Sequence, residues 1–147
     1  MDAVVFTKDA REYELLSGIL ARELPGTRVS RGKTDGHYHL EHRYGIAVIG
    51  LEGAQGMELV RAYRERFDNT LVIWITEDPY FAGTAIRTHI FDFIVRPFEA
   101  ERFGESVRNL RARKIDAWQA AFIKGEAAAD GAVRKHKSES EEHYETY

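Results

Sequence analysis

YGIAVIGLEGAQGMELV, residues 44–60, reads as a short strand that runs directly into a helix. Ile46, Ala47, Val48 and Ile49 form a continuous apolar run, the pattern of a strand covered on both faces of its sheet. A glycine-rich elbow follows, and Met57, Leu59 and Val60 begin a helical pattern. In a doubly wound sheet, the residue ending such a strand faces the crevice at the carboxyl edge, where ligands bind. Here it is Gly50, which brings no side chain.

The same rhythm extends in both directions. Further apolar runs are AVVF (3–6), TRVS (27–30), LVIWI (71–75) and FIV (93–95). Between them, Tyr13, Leu16, Leu20 and Leu24 recur at helical spacing over 9–24, with Asp9 placed to cap the start and Pro25-Gly26 to end it. A second helix is expected over 54–67, closed by Asp68-Asn69. A third is expected over 79–90, with Pro79 in its first turn, and a fourth from Glu99. Strands alternating with helices predict a parallel sheet with helices on both faces, and LVIWI suits a central strand.

Two stretches break the rhythm. RGKTDGHYHLEHRYG, 31–45, has little room for an amphipathic helix, and Asp35-Gly36 is a good turn pair. An irregular segment or a short hairpin extension is expected there. From Gly125 the composition turns small and charged, with few large apolar residues to bury. The domain is therefore expected to span 1–123, followed by a polar tail, 124–147, that is mobile, locally ordered or partner-binding.

A chain of 147 residues is about one domain. A net charge of -3 argues against bulk electrostatic binding to nucleic acid. The absence of cysteine excludes a disulfide framework and a thiolate metal site. The start, MDAVVFTKDAREY, lacks the basic residues and long apolar stretch of a signal peptide, and no segment is apolar enough to span a membrane. A cytoplasmic protein with no membrane partner is expected.

FDFIVRPFEAERFGESVRNL, 91–110, resembles the end of a response-regulator receiver domain of the CheY-like superfamily. Such domains end with an aspartate–aromatic pair, two apolar residues, a basic residue, Pro-Phe and an amphipathic last helix. Asp92, Phe93, Arg96, Pro97 and Phe98 fall on that pattern. LVIWIT resembles the fourth receiver strand with its terminal hydroxyl residue, Thr76, and GMELVRAYRER resembles the helix after the phosphorylation loop. The likeness covers 3–112 and is closest in flavour to receivers of LytTR-type regulators. It implies a flavodoxin-like three-layer α/β sandwich, with a five-stranded parallel sheet in the order 2-1-3-4-5. It further implies a cis bond before Pro97, while an extended C-terminal helix is expected from the apolar pattern that runs on past 110.

The family's chemistry is phosphoryl transfer to an aspartate, assisted by a divalent metal held among carboxylates and by a lysine. By resemblance, the phosphoacceptor falls on Gly50, and the first-strand acidic pair on Thr7 and Lys8, with Asp9 one place later. The lysine falls on Arg96 and the family proline on Pro97, while Thr76 is retained. The loop after Gly50 is short, so a shifted register would substitute Ile49. Neither residue accepts a phosphoryl group. Lys8 and Arg96 stand where a hard cation would sit, with Glu52 approaching from the loop. The resemblance thus implies a pseudo-receiver with no catalytic residue, no metal and no cofactor.

Other features have competing readings. Lys8, Arg96, Thr76 and Gly50 form either a small-anion site or an ion-paired filling, with Asp9, Glu52 or Glu77 as partner. His37, His39 and His42 are either metal ligands or exposed loop histidines. GLEGAQG, 50–56, has neither dinucleotide nor phosphate-loop spacing and reads as a strand-to-helix turn. No Ser–His–Asp or paired-carboxylate arrangement emerges, and Ser17, Ser30 and Ser106 sit in ordinary contexts, so an enzyme is not expected.

Along the last helix, Phe103, Val107 and Leu110 give a core-facing stripe, continued by Ile115, Trp118 and Phe122. A helix over 99–124 would be about 39 Å long, more than a small domain covers. Its far end either folds back or meets a partner. Arg108, Arg111, Arg113 and Lys114 make the same helix basic, but nearby acids favour a solvated face. In receivers, a hydroxyl and an aromatic residue switch together beneath the face made by the family's fourth helix, fifth strand and last helix. Here Thr76 and Phe93 hold those positions, and Tyr80, Phe81 and Ile86 line the face. The expected function is phosphorylation-independent regulation, in signal transduction or transcriptional control, through a protein partner or a homodimer. The alternatives are a small-anion sensor around Lys8 and Arg96, or a nucleic-acid-binding regulator.

Overall fold

In the computed structural model, which describes residues 1–38 and 40–113, all five apolar runs are strands. β1 (Asp2–Thr7), β2 (Arg28–Arg31), β3 (Ile46–Gly50), β4 (Leu71–Thr76) and β5 (Asp92–Val95) form one sheet in the order β2-β1-β3-β4-β5. Every pairing is parallel. β3 is buried at every position and β4 from Val72 onward, as inner strands of a sheet covered on both faces must be. The edge strand β2 has no fully buried residue.

The helices are α1 (Ala10–Glu23), α2 (Gly53–Arg66), α3 (Ala82–Arg87), which follows a 3-10 turn at Pro79–Phe81, and α4, residues 100–113. The chain divides into two units, Met1–Arg108 and Asn109–Tyr147, and the sheet lies wholly within the first. Leu59, Val60 and Tyr63 of α2 and Ala85 of α3 share a buried cluster with Val4, Phe6, Ala47, Ile49 and Trp74. Strand alternation turns Ala3, Val5, Ile46 and Val48 to the opposite face. There α1 buries Leu16, Ile19 and Leu20, and Arg108 of α4 donates to Glu23 of α1 at 3.1 Å. Each fully buried large apolar side chain contributes about 1.5–3 kcal/mol, so this two-sided core dominates the fold. The three-layer α/β architecture is the one expected.

Two segments differ from a regular alternation. Among the described residues between β2 and β3 no helix forms, and 32–38 and 40–45 are irregular rather than a hairpin. Asp35 accepts a hydrogen bond from the His37 N–H at 2.9 Å, while Tyr38, Leu40 and Tyr44 pack against the α2-side cluster. Too few apolar residues recur at helical spacing here, so a few large side chains cover the sheet from a loop. The third helix is also shorter than the 79–90 expected. It begins as the 3-10 turn and ends at Arg87, with His89 at φ 52 just beyond. Gly83, Thr84 and Thr88 are weak helix formers, which explains the early stop. In α4, Phe103, Val107 and Leu110 are buried as expected. Ile115, Trp118, Phe122 and the 124–147 tail lie outside the described residues. Among the described residues, no helix is long and apolar enough to cross a membrane.

One ion pair fastens α4 to the sheet. Arg102 Nη1 and Nη2 donate to Asp92 Oδ2 and Oδ1 at 2.7 and 2.9 Å. Burial works to raise the Asp92 carboxyl, but the bonds and charge of Arg102 outweigh it and hold the group below its ordinary range. A carboxyl depressed in the folded state stabilises above its unfolded value, about 4, and loses that contribution as pH falls through the folded value. Because Arg102 is 39% exposed, the pair is partly screened. Asp92→Asn is expected to cost about 1 kcal/mol at pH 7, with the gap to the parent closing below about pH 4 in urea unfolding. A gap unchanged from pH 7 to pH 3 would assign the loss to packing.

Candidate functional site

The site is built at the carboxyl edge of the sheet. β1 and β3 end side by side, with Thr7 opposite Gly50. β5 ends at Val95, and the Arg96 N–H then donates to the Thr76 carbonyl at 2.8 Å. The Arg96–Pro97 peptide is cis, as the resemblance implied. From there the Arg96 side chain reaches β3, where Nη2 donates to the Gly50 carbonyl at 2.8 Å. A Cβ on Gly50 would lie 2.8 Å from that nitrogen and 3.1 Å from the Phe6 carbonyl oxygen. The missing side chain is therefore what makes room for the guanidinium.

Arg96 is committed on every side. Its Nε and Nη2 donate to the two oxygens of Glu12, each at 2.8 Å, the parallel fork that suits guanidinium and carboxylate. Nη1 pairs with Glu52. Thr7 Oγ1 donates to Glu12 from the other side. The Arg96 and Glu12 side chains are only 17% and 13% exposed. Burial works to lower the Arg96 guanidinium, but Glu12 first and Glu52 after it outweigh the cost, so the charge is firmly held. Glu52 in turn accepts from Thr76 Oγ1 at 3.0 Å and from the Glu77 N–H at 2.9 Å.

Thr7, Gly50, Glu52, Thr76 and Arg96 are thus brought together as the sequence reading grouped them. Lys8 is not: it is exposed and does not line the open cleft of about 580 Å³ bounded by Glu12, Glu77 and Arg96. Asp9 does not pair with Arg96 either. Its carboxylate accepts from the Arg11 and Glu12 N–H groups at 2.8 and 3.4 Å, capping α1, which holds it at the helix end. The residue that sequence reasoning missed is Glu12. The spacing Asp9-x-x-Glu12 carried the signal, because a capping-box position puts an acid in the first helical turn beside the end of β1.

Phe93 is half-buried, edge-on to Trp74 with ring centroids 5.5 Å apart, and Phe81 contacts the same indole at 5.5 Å. Tyr80 is 83% exposed and Ile86 76%. His42 Nε2 lies 3.0 Å from Asp2 Oδ2, His37 sits in the loop turn, and His39 is outside the described residues. Among the described residues, no group of three or more His, Cys, Asp or Glu could hold a metal. Arg108 is held by Glu23 and Glu101, and Lys114 lies outside the described residues.

No protein-family model matches the sequence, and no curated protein is similar to it. Solved structures do match in fold. The response regulatory domain of mrkE from Klebsiella pneumoniae aligns with a TM-score of 0.63 at 16% identity, covering 76% of this chain and 96% of that one. The BeF3-activated DrrB receiver domain aligns at 0.62 and 22% identity, covering 74% and 94%. HP1043, an orphan response regulator of H. pylori, aligns at 0.62 and 15%, covering 76% and 94%. In strand order and in overall likeness, this chain has the fold of a CheY-like response-regulator receiver domain.

Proposed function

We propose that this chain is a non-catalytic, phosphorylation-independent receiver-like module that regulates through protein–protein contact. The observation that carries the reading is Arg96, which fills the space above Gly50 and is neutralised by Glu12 and Glu52. Where an acceptor carboxylate and a divalent cation would have to meet, there is a closed set of hydrogen bonds. The Thr76 hydroxyl is already engaged with Glu52, so no chemical input is needed to set it. The output surface is the exposed apolar side of Tyr80 and Ile86. Ile115, Trp118 and Phe122, outside the described residues, are the homodimer contact that the sequence offers. Regulation in signal transduction or transcription is the role that the receiver-like fold favours. Anion sensing through Lys8 and Arg96 has less support, because Lys8 is exposed and does not line the cleft and the Arg96 donors are occupied. Nucleic-acid binding has less again, since Arg108 is held by acids.

Light scattering on the full chain, with and without acetyl phosphate and magnesium, tests the reading alongside Trp118→Ala/Phe122→Ala. The expected result is a dimer of unchanged mass in acetyl phosphate, no phosphoryl adduct in the intact mass, and a folded monomer in the double variant. A phosphoryl adduct or phosphate-driven assembly would overturn phosphorylation independence. A monomer in every sample would remove the homodimer.

A further inference from the structure

β2 and β5 are the two edges of the sheet. On β2 the backbone bonds to β1 fall on alternate residues. The Arg28 N–H donates to the Met1 carbonyl at 3.0 Å, and the Gly32 N–H donates to the Val5 carbonyl at 2.8 Å. Alternation along the strand then turns the N–H and C=O of Val29 and Arg31 away from β1, to the open side. Arg28, Ser30 and Arg31 are exposed beside them, and the chain leaves β2 into the irregular stretch 32–38 rather than into a helix. This is an unpaired edge with two residues' worth of backbone donors and acceptors on offer.

Charge decides what such an edge accepts. RVSRGK, 28–33, holds three basic residues and no acid, in a chain whose net charge is -3. Among the described residues Arg28, Arg31 and Lys33 make no ion pair, whereas Arg22, Arg96, Arg102 and Arg108 all do. Asp2, the register partner of Arg28 on β1, lies 3.0 Å from His42 Nε2 instead. Arg31 Nη2 donates to the Thr7 carbonyl at 3.1 Å, and its guanidinium carbon is 5.4 Å from the centroid of the Tyr13 ring. These neutral partners fix the group in place and leave its charge uncompensated. A second copy of β2 set antiparallel would bring arginine against arginine, which disfavours self-pairing. We propose that the β2 edge is a docking strand for an extended acidic segment of a partner protein. The segment joins the sheet through the outward N–H and C=O groups of Val29 and Arg31, and Arg28, Arg31 and Lys33 select its charge. This contact is additional to the Tyr80 and Ile86 surface and does not depend on it.

The test uses the full chain, Arg28→Glu and Val29→Pro. The probe is a capped hexapeptide of alternating Glu and Val, with Gln in place of Glu as the control. At millimolar peptide, saturable shifts and slowed hydrogen exchange are expected at the Val29 and Arg31 amides. The Arg28 and Gly32 amides, already bonded to β1, should change little. The Gln peptide, and the Glu peptide on Arg28→Glu, should bind about fivefold or more weakly. Val29→Pro removes an outward N–H while sparing the pairing with β1, so the slowing at Arg31 should vanish. Arg28 makes no side-chain bond among the described residues, so the charge test stands even where the proline unfolds the strand. No binding, equal binding of the two peptides, or shifts without slowed exchange at Val29 and Arg31 would overturn strand addition. Protection of both amides before any peptide is added would give the edge to another occupant, the chain's own acidic 138–147 or a second copy, and would overturn it too.

Discussion

Arg96→Met is expected to lower the unfolding free energy by about 3–5 kcal/mol, the loss found when one partner of a buried ion pair is removed. The methionine leaves Glu12, 13% exposed, as an uncompensated buried charge and takes the donor away from the Gly50 carbonyl. Glu52 keeps Thr76 and the Glu77 N–H and is 45% exposed, so less of the loss arises there. Arg96→Lys separates charge from geometry. One ammonium cannot serve both Glu12 oxygens, Glu52 and the Gly50 carbonyl, and losing charge-assisted bonds is expected to cost about 1.5–3 kcal/mol. Adding Glu12→Gln to Arg96→Met removes the stranded charge and should restore much of the stability. Urea unfolding of the four proteins in the Arg96→Met/Glu12→Gln cycle gives the coupling directly. A loss under about 1 kcal/mol in Arg96→Met would place the pair in effective solvent and undo the account of a buried ion pair.

Much of this edge was legible because short-range patterns fix which residues end strands. Unbroken apolar runs identified β3 and β4, and a residue that ends a strand stands at the carboxyl edge whatever its type. Gly50 was therefore placeable from the apolar pattern, and Thr76 and Arg96 from the resemblance to receiver domains. What was not legible was which carboxylate Arg96 would choose among Asp9, Glu12, Glu52 and Glu77. Helix capping decided it: Asp9 was taken up by the start of α1, which left Glu12 facing β1 and free to pair. A side-chain choice between acids three residues apart depends on tertiary geometry that periodicity does not carry. Gly56 makes the same point. It lies inside α2, as the expected helix over 54–67 has it, but only the structure shows that a Cβ there would overlap the Leu51 carbonyl. The irregular 32–45 segment was only half legible, since a loop that covers a sheet with Tyr38, Leu40 and Tyr44 has no period to read.

Trp74→Ala is expected to cost about 3–5 kcal/mol, in the range of aromatic-to-alanine changes in a packed core. Trp74 is fully buried on the inner strand β4, and Phe81 and Phe93 both lean on it. The cavity would open between the strand and the two aromatics, of which Phe81 also packs edge-on to the exposed Tyr80. Its effect should extend in the other direction too, because a Cβ at Gly56 would lie 3.2 Å from Trp74 Nε1, placing the indole edge against the first turn of α2. Trp74→Phe sharpens the argument. Among the described residues the indole N–H is buried without a partner, so phenylalanine gives up volume but also removes an unsatisfied donor. Its cost should be much smaller than that of alanine. Urea unfolding ranks the two variants, and amide exchange at Ala85 and Ile90, which share the Trp74 cluster, locates the loosening. If Trp74→Phe were as damaging as Trp74→Ala, the indole N–H would have a partner that matters. If protection at Ala85 were unchanged in Trp74→Ala, the tryptophan would not be the support of the cluster that holds α3.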